Sequence, residues 1–200
     1  MMLKTEERNL KTMHIDKMDT LSMLEVINEE NMNAVNAVGD ALCIIAKVCD
    51  AVSDRIERGG RLFYIGAGTS GRIGVIDAAE CPPTFGVSND TVIGIIAGGE
   101  KCMISAAEGE EDDKESGVED IKKYNINEND TMIGISASGG AQYVVGALEY
   151  ARDKGAYTVS LSSNSETAVQ RAAEISIVAD TGSEVITGST RMKAGTAQKL

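Results

Sequence analysis

Gly66, Gly68 and Gly71 stand in the stretch YIGAGTSGRIGVIDAAECPP, residues 64–83, as a literal G-x-G-x-x-G. Glycines at this spacing, between an apolar run and a helical pattern, let a phosphate approach the free backbone N–H groups of a first helical turn. A dinucleotide fold asks for more: a full-length helix after the loop and an acid at the end of the next strand. Here the helical pattern is cut short by Cys81-Pro82-Pro83, and the first acid after the next apolar run is Glu100, 29 residues past Gly71. The x-x pair is Thr69-Ser70, two hydroxyls, and the last glycine is followed by Arg72. A bare strand-to-helix turn without a ligand, and a phosphate other than a dinucleotide's, remain alongside the nicotinamide reading.

A second loop of the same kind, ISASGGAQ, carries Ser136, Ser138, Gly139 and Gly140. In open α/β sheets ligands sit beyond the carboxyl ends of the strands, near the point where strand order reverses. Two loops rich in hydroxyls and glycine at one edge suit a sugar phosphate, one holding the phosphate and the other the sugar hydroxyls. Short Ser and Thr side chains donate to phosphate oxygens at small rotamer cost.

Acid–base chemistry on such a ligand needs carboxyls. Glu80 precedes Cys81-Pro82-Pro83, where prolines stiffen the backbone and would hold the carboxyl near the glycine loop. The plainer reading is a solvated helix-end carboxylate. Glu111 lies in the acidic run Glu108–Asp113, which also reads as the acid-rich start of a helix. Glu108 and Glu110, its neighbours in that run, are the alternatives to it if the register slips. Ser189-Thr190-Arg191, at a helix start with Lys193 beyond, offers a place for an anion, or simply favourable surface charge.

The elements that would position these residues alternate. RLFYIGAG, TVIGIIAGG, DTMIGISAS, YTVSLSS and EISIVAD are short apolar runs rich in β-branched residues and read as buried strands. Helical patterns fall at about 70–79, 101–123 with a break, 140–154 and 164–173, and a last one opens at Ser189 or Thr190 as cap. Strand alternating with helix predicts a five-stranded parallel sheet covered on both faces, over residues 59–200. Residues 1–58 read as a polar arm followed by helix from Thr20 to Arg58, with Asn28-Glu29-Glu30-Asn31 joining two helices. The chain ends at Leu200 inside a helical pattern, as a piece of a longer protein would.

The 200 residues carry 19 basic and 31 acidic side chains, a net charge of -12, which argues against nonspecific nucleic-acid binding. Cys43, Cys49, Cys81 and Cys102 form no C-x-x-C, and the single histidine, His14, completes no metal set. No metal, no cofactor, no membrane contact and a reducing, cytoplasmic setting are therefore expected.

The stretches GAGTSGRIGVIDAAECPPTFG (66–86), AAEGEEDD (106–113) and TGSTRMKAGTAQK (187–199) resemble the N-acetylmuramic acid 6-phosphate etherases, sugar isomerase (SIS) domain enzymes that are also similar to the glucokinase regulatory protein. The opening EERNLKTMHIDKM resembles their N-terminal arm. The resemblance implies an SIS-type three-layer sandwich and cleavage of the lactyl ether of N-acetylmuramic acid 6-phosphate in peptidoglycan recycling. It implies Glu111 as the base at C2 and Glu80 as the acid for the departing lactate. It places the sugar phosphate on Gly68, Thr69, Ser70 and Gly71, on Ser136, Ser138 and Gly139, and near Arg191, in a homodimer. Family members usually read Ser-Gly-Arg-Thr-Pro where this chain has Ser138-Gly139-Gly140-Ala141-Gln142, so an Arg and a Thr hydroxyl are missing. A non-catalytic sugar-phosphate sensor and an aldose–ketose isomerase therefore stand as alternatives.

Overall fold

The computed structural model describes residues 3–105 and 109–200. Five strands form one wholly parallel sheet: β1 Leu62–Gly66, β2 Val92–Ile96, β3 Thr131–Ile135, β4 Tyr157–Ser162 and β5 Ile175–Val178, in the order β2-β1-β3-β4-β5. Each of the five apolar runs is a strand, as expected. The alternation of side chains across each strand feeds two cores. Phe63, Ile65 and Met132 face one side, against Val144 and Leu148 of α5 (Gln142–Asp153). Leu62, Ile133, Ile135 and Ile177 face the other, against Ala41 and Val48 of α1 (Thr20–Glu57).

α1 is a single helix of 38 residues, not the expected pair. Asn28-Glu29-Glu30-Asn31 is polar but holds no Gly or Pro, so nothing breaks the hydrogen-bond ladder, and Glu30 turns inward and is buried. Asp19 caps the start, accepting from the N–H groups of Leu21 and Ser22 at 3.0 and 3.1 Å. At 1.5 Å per residue α1 is ~57 Å long, whereas strands of this length span ~20 Å, so much of α1 overhangs the sheet.

α2 (Gly68–Phe85) shares the α1 side of the sheet, its Gly74 lying directly against Tyr64. It also departs from expectation: it runs through Pro82 and Pro83 and ends at Gly86, whose φ is 68°. The prolines lie in the last turn, so the missing N–H donors cost only the bonds to the carbonyls of residues 78 and 79. On the opposite face α4 (Lys114–Lys122) crosses α5 backbone to backbone: a Cβ on Gly117 would lie 2.0 Å from the Tyr143 carbonyl oxygen. Tyr143 is fully buried and its hydroxyl donates to Asp120 at 2.7 Å. Burial, and then that carboxylate, push the phenol above its ordinary pKa. The short helices α3 (Lys101–Ile104) and α6 (Ala168–Ala172) complete the connections.

The last helix, α7 (Lys193–Lys199), begins later than expected, and neither Ser189 nor Thr190 caps it. The buried carboxylate of Glu184 does so, accepting from the N–H groups of Lys193 and Ala194 at 3.1 and 3.0 Å. Lys193 is itself 1% exposed and its Nζ lies 2.7 Å from Glu30 of α1. Asn9 donates to the same carboxylate at 2.7 Å, and Lys11 pairs with it at 3.2 Å. One buried carboxylate thus ties the N-terminal arm, α1 and α7 together. The arm, three short 3-10 turns between Lys4 and Lys17, also bonds through Thr12 to the Val185 carbonyl at 2.8 Å.

Among the described residues no helix is long and apolar enough to cross a membrane.

Candidate functional site

In this sheet the strand order reverses between β1 and β3, and the two loops singled out by sequence leave the carboxyl ends of those two strands. They meet around a cavity of about 220 Å³ lined by Ala67, Gly68, Thr69, Ser70, Glu111, Ile135, Ser136, Ala137, Ser138, Ala141 and Thr190. Its polar lining is hydroxyls, backbone and one carboxylate, with Ile135 and three alanines as the apolar remainder. A second cavity of about 250 Å³ opens on the other side of β1 and β3, between α1, α2 and α7, with Ile45, Tyr64, Ile133 and Leu161 in its walls. That one is mostly apolar and has no row of free donors for an anion, so the chemistry points to the first.

The glycine loop is held tight by backbone contact. A Cβ on Gly71 would lie 2.6 Å from the Gly66 carbonyl oxygen and 2.7 Å from Ile96 Cγ1. Ala67 gives α2 no side-chain cap, so the first-turn N–H groups of Gly68, Thr69 and Ser70 face the cavity mouth unpaired within the helix. Such a row of N–H groups, with the helix dipole behind it, attracts an anion. Ser70 is buried and its hydroxyl donates to Gln198 of α7 at 2.9 Å, which fixes the loop against the last helix.

In the second loop Ser136 Oγ accepts from the Gly139 N–H at 3.1 Å, and Ser138 Oγ from the Gly140 N–H at 3.2 Å. Gly139 has φ of 81°, and a Cβ there would meet Thr167 at 2.4 Å. Asn164 donates to the Ser138 carbonyl at 3.1 Å and to Thr5 Oγ1 of the arm at 3.0 Å, so the arm braces this loop. Glu111 is exposed and lines the cavity, and its carbonyl accepts from the Tyr143 N–H at the start of α5 at 3.0 Å.

The structure brings together Gly68, Thr69, Ser70, Ser136, Ser138 and Glu111. Gly71 and Gly139 shape the two loops without lining the cavity. Arg191 is exposed, one residue beyond the lining Thr190, its Nε donating to Ser189 Oγ at 3.2 Å. Lys193 does not reach this site: its ammonium is spent on Glu30. Arg72 is likewise engaged, donating to the Cys102 and Met103 carbonyls. Glu110 pairs loosely with Lys101 at 3.9 Å, and Glu108 lies outside the described residues.

Glu80 is placed elsewhere. Because α2 continues instead of breaking, it carries Glu80 12 residues past Gly68, ~18 Å along the axis. Its neighbours Ala79 and Pro82 line a groove with Asn89 and Val92, at the amino edge of the sheet. The expectation that the prolines hold this carboxyl near the glycine loop of the same chain is therefore corrected. Sequence reading missed Asn164 and Gln198, whose only signal is a polar residue after a strand and another in a late helix. Among the described residues no group of three His, Cys, Asp or Glu side chains is arranged to hold a metal ion.

The tight turn yields a prediction. Gly71→Ala should lower stability by about 1–3 kcal/mol, as overpacking against backbone does, and weaken inorganic phosphate binding with it. Gly68 has open space around it and φ of 53°, so Gly68→Ala should cost only about 1 kcal/mol. Thermal melts with and without phosphate check both.

Comparison with known proteins agrees with this architecture. Residues 44–152 match the glucokinase regulatory protein N-terminal SIS domain, and residues 115–199 match the SIS domain. The chain is 56% identical over 198 residues to the N-acetylmuramic acid 6-phosphate etherase of Clostridium beijerinckii, covering 99% of this chain and 65% of that protein. It is 52% identical to the etherase of an Exiguobacterium species, covering 99% and 67%. The chain thus spans just under two thirds of the Clostridium protein's length. Among solved structures, a phosphoheptose isomerase from Francisella tularensis shares the fold, with a TM-score of 0.65 at 18% identity over 90% of this chain and 93% of that one. A family match over more than half of the chain, with such identity to relatives along nearly all of it, establishes that this chain belongs to the SIS-domain family of the N-acetylmuramic acid 6-phosphate etherases.

Proposed function

We propose that the protein cleaves the lactyl ether of N-acetylmuramic acid 6-phosphate, giving N-acetylglucosamine 6-phosphate and D-lactate for amino-sugar recycling in the cytoplasm, and that it works as a homodimer. The observation that carries this reading is the position of Glu111: a free carboxylate in the same cavity as two loops suited to a sugar phosphate. The first-turn N–H groups of α2, with the Thr69 hydroxyl, take the phosphate, and Ser70 holds that turn in place through Gln198. Ser136, Ser138 and the Gly139 turn take the sugar, and Arg191 approaches from the rim.

The chemistry follows from the open-chain aldehyde form. Glu111 removes the proton at C2, which the neighbouring carbonyl acidifies. The C3–O ether bond then breaks, and lactate departs with a proton from Glu80 of the second copy in the homodimer, since Glu80 of the same chain lies too far along α2 to reach the cavity, leaving an α,β-unsaturated aldehyde. Water adds at C3 and a proton returns to C2, so one water is consumed and a hydroxyl replaces the ether. Each proton transfer by a placed carboxyl contributes about 10²–10⁴-fold.

A second reading, a silent sugar-phosphate sensor, is favoured by one feature: among the described residues no Lys or Arg lines the cavity, and the loop at 140–142 is Gly-Ala-Gln. Incubation with N-acetylmuramic acid 6-phosphate separates the readings. The etherase releases D-lactate, one per sugar consumed. A sensor binds the sugar phosphate and releases none, and an aldose–ketose isomerase forms a ketose phosphate instead.

A further inference from the structure

The N-terminal arm reaches two walls of the cavity from behind. Thr5, in the first 3-10 turn, is fully buried, and Asn164, just past the carboxyl end of β4, is 4% exposed. The two grip each other twice. Asn164 Nδ2 donates to Thr5 Oγ1 at 3.0 Å, and the Thr5 N–H donates to Asn164 Oδ1 at 3.4 Å. The same amide nitrogen also donates to the Ser138 carbonyl at 3.1 Å, with the Ala137 carbonyl at 3.5 Å. Ala137 and Ser138 line the cavity. Further along the arm, Asn9 donates to the Ser183 carbonyl at 3.3 Å and Thr12 to the Val185 carbonyl at 2.8 Å. From Val185 a turn, closed by the Ser189 N–H on the Ile186 carbonyl at 2.9 Å, leads to Thr190, which also lines the cavity.

The glycine loop stands differently. Its own backbone contacts and Gln198 hold it, with no described hydrogen bond to the arm. The Ser138 loop has no helix or strand of its own between β3 and α5, and it bends at Gly139 with φ of 81°. Its place therefore depends on groups that reach it from outside, and Asn164 is the one that carries the arm to it. A sugar hydroxyl is held only within hydrogen-bond reach, so a small shift of the loop loses its contacts.

We infer that Thr5 and Asn164 are positioning residues for the sugar half of the ligand: the arm sets where the Ser138 loop stands, while the glycine loop keeps the phosphate without it. The inference deepens the etherase reading, from which it takes the sugar at the second loop. A brace that merely held the domain together would affect sugar and phosphate alike; this one affects the sugar alone.

Calorimetry on the full-length protein with two probes, N-acetylglucosamine 6-phosphate and inorganic phosphate, tests it. Thr5→Val keeps the shape and loses the hydroxyl. The sugar phosphate should then bind about 3–10-fold more weakly, the net worth of one hydrogen bond, while inorganic phosphate affinity changes by less than about twofold. Thr5→Ser returns the hydroxyl and should bind both probes as the wild type does. Asn164→Asp still accepts from Thr5 but sets a carboxylate against the Ser138 and Ala137 carbonyls, so it should cost the sugar phosphate on the order of 10-fold or more and inorganic phosphate little. If Thr5→Val does not fold, Asn164→Asp carries the same comparison. Equal weakening of both probes, unchanged sugar-phosphate binding in the variants, or no rescue by Thr5→Ser overturns the inference. So does a wild type that binds the sugar phosphate no more tightly than phosphate. A wild type that binds N-acetylglucosamine 6-phosphate but releases no lactate from the muramyl sugar overturns the etherase reading and leaves this one standing.

Discussion

Glu111→Gln should reduce D-lactate release by roughly 10²–10⁴-fold and abolish hydrogen exchange at C2 of the substrate. Glu111 is the one carboxylate described in the cavity wall, and it sits on a loop tied to α5 through its own carbonyl. An amide keeps the shape of the side chain but cannot take a proton, so phosphate affinity and the thermal melt should stay unchanged. Glu80→Gln behaves differently. Proton removal at C2 precedes breaking of the ether bond, so exchange survives while lactate release falls. Loss of exchange and release together in both variants would show that the two roles are not divided this way. Full activity in both would move the chemistry to other residues.

The second large effect is on stability. Glu30→Gln or Lys193→Met should each cost about 3–5 kcal/mol, since removing one member of a buried pair leaves the other charged and unpaired. For a chain of this size that is a fall in melting temperature on the order of 10 °C. Asn9 and Lys11 also address Glu30, so the arm should loosen in the Glu30 variant and expose the Thr5–Asn164 brace of the second loop. The double change Glu30→Leu with Lys193→Met should recover much of the loss. Burial alone would raise the Glu30 pKa, but hydrogen bonds from Lys193, Asn9 and Lys11 outweigh it and hold the carboxyl below its usual range. A carboxyl depressed in the folded state stabilises above its unfolded pKa and loses that share as pH falls through the folded value. Denaturation of the wild type should therefore steepen below about pH 4, and that slope should flatten in Glu30→Gln. Urea titrations at several pH values check the difference.

How much of this was legible in the sequence depended on the range of the interaction. The strands announced themselves because a parallel sheet buried on both faces leaves uninterrupted β-branched runs. The two loops were legible because glycine and hydroxyls after β1 and β3 meet wherever strand order reverses between them. The errors are of one kind. Asn28-Glu29-Glu30-Asn31 looked like a joint because it is polar, but polarity does not break a helix, and a distant partner, Lys193, makes room for Glu30 inside. Pro82 and Pro83 looked like a stop, but two prolines in a last turn cost little. That misreading left Glu80 beside the glycine loop when α2 in fact carries it to the other edge. Glu184 as the cap of α7, and Asn164 between the arm and the Ser138 loop, are contacts across the chain that no local pattern announces.

The most direct test of the account is the fate of isotopes when N-acetylmuramic acid 6-phosphate is turned over in deuterated, ¹⁸O-labelled water. Elimination followed by hydration puts one deuterium at C2 and one ¹⁸O at C3 of the N-acetylglucosamine 6-phosphate, and leaves the D-lactate free of ¹⁸O at its hydroxyl. Lactate carrying the ¹⁸O, over a sugar with no deuterium at C2, would contradict it: the bond broken would then lie on the lactyl side, and Glu111 would have no proton to take.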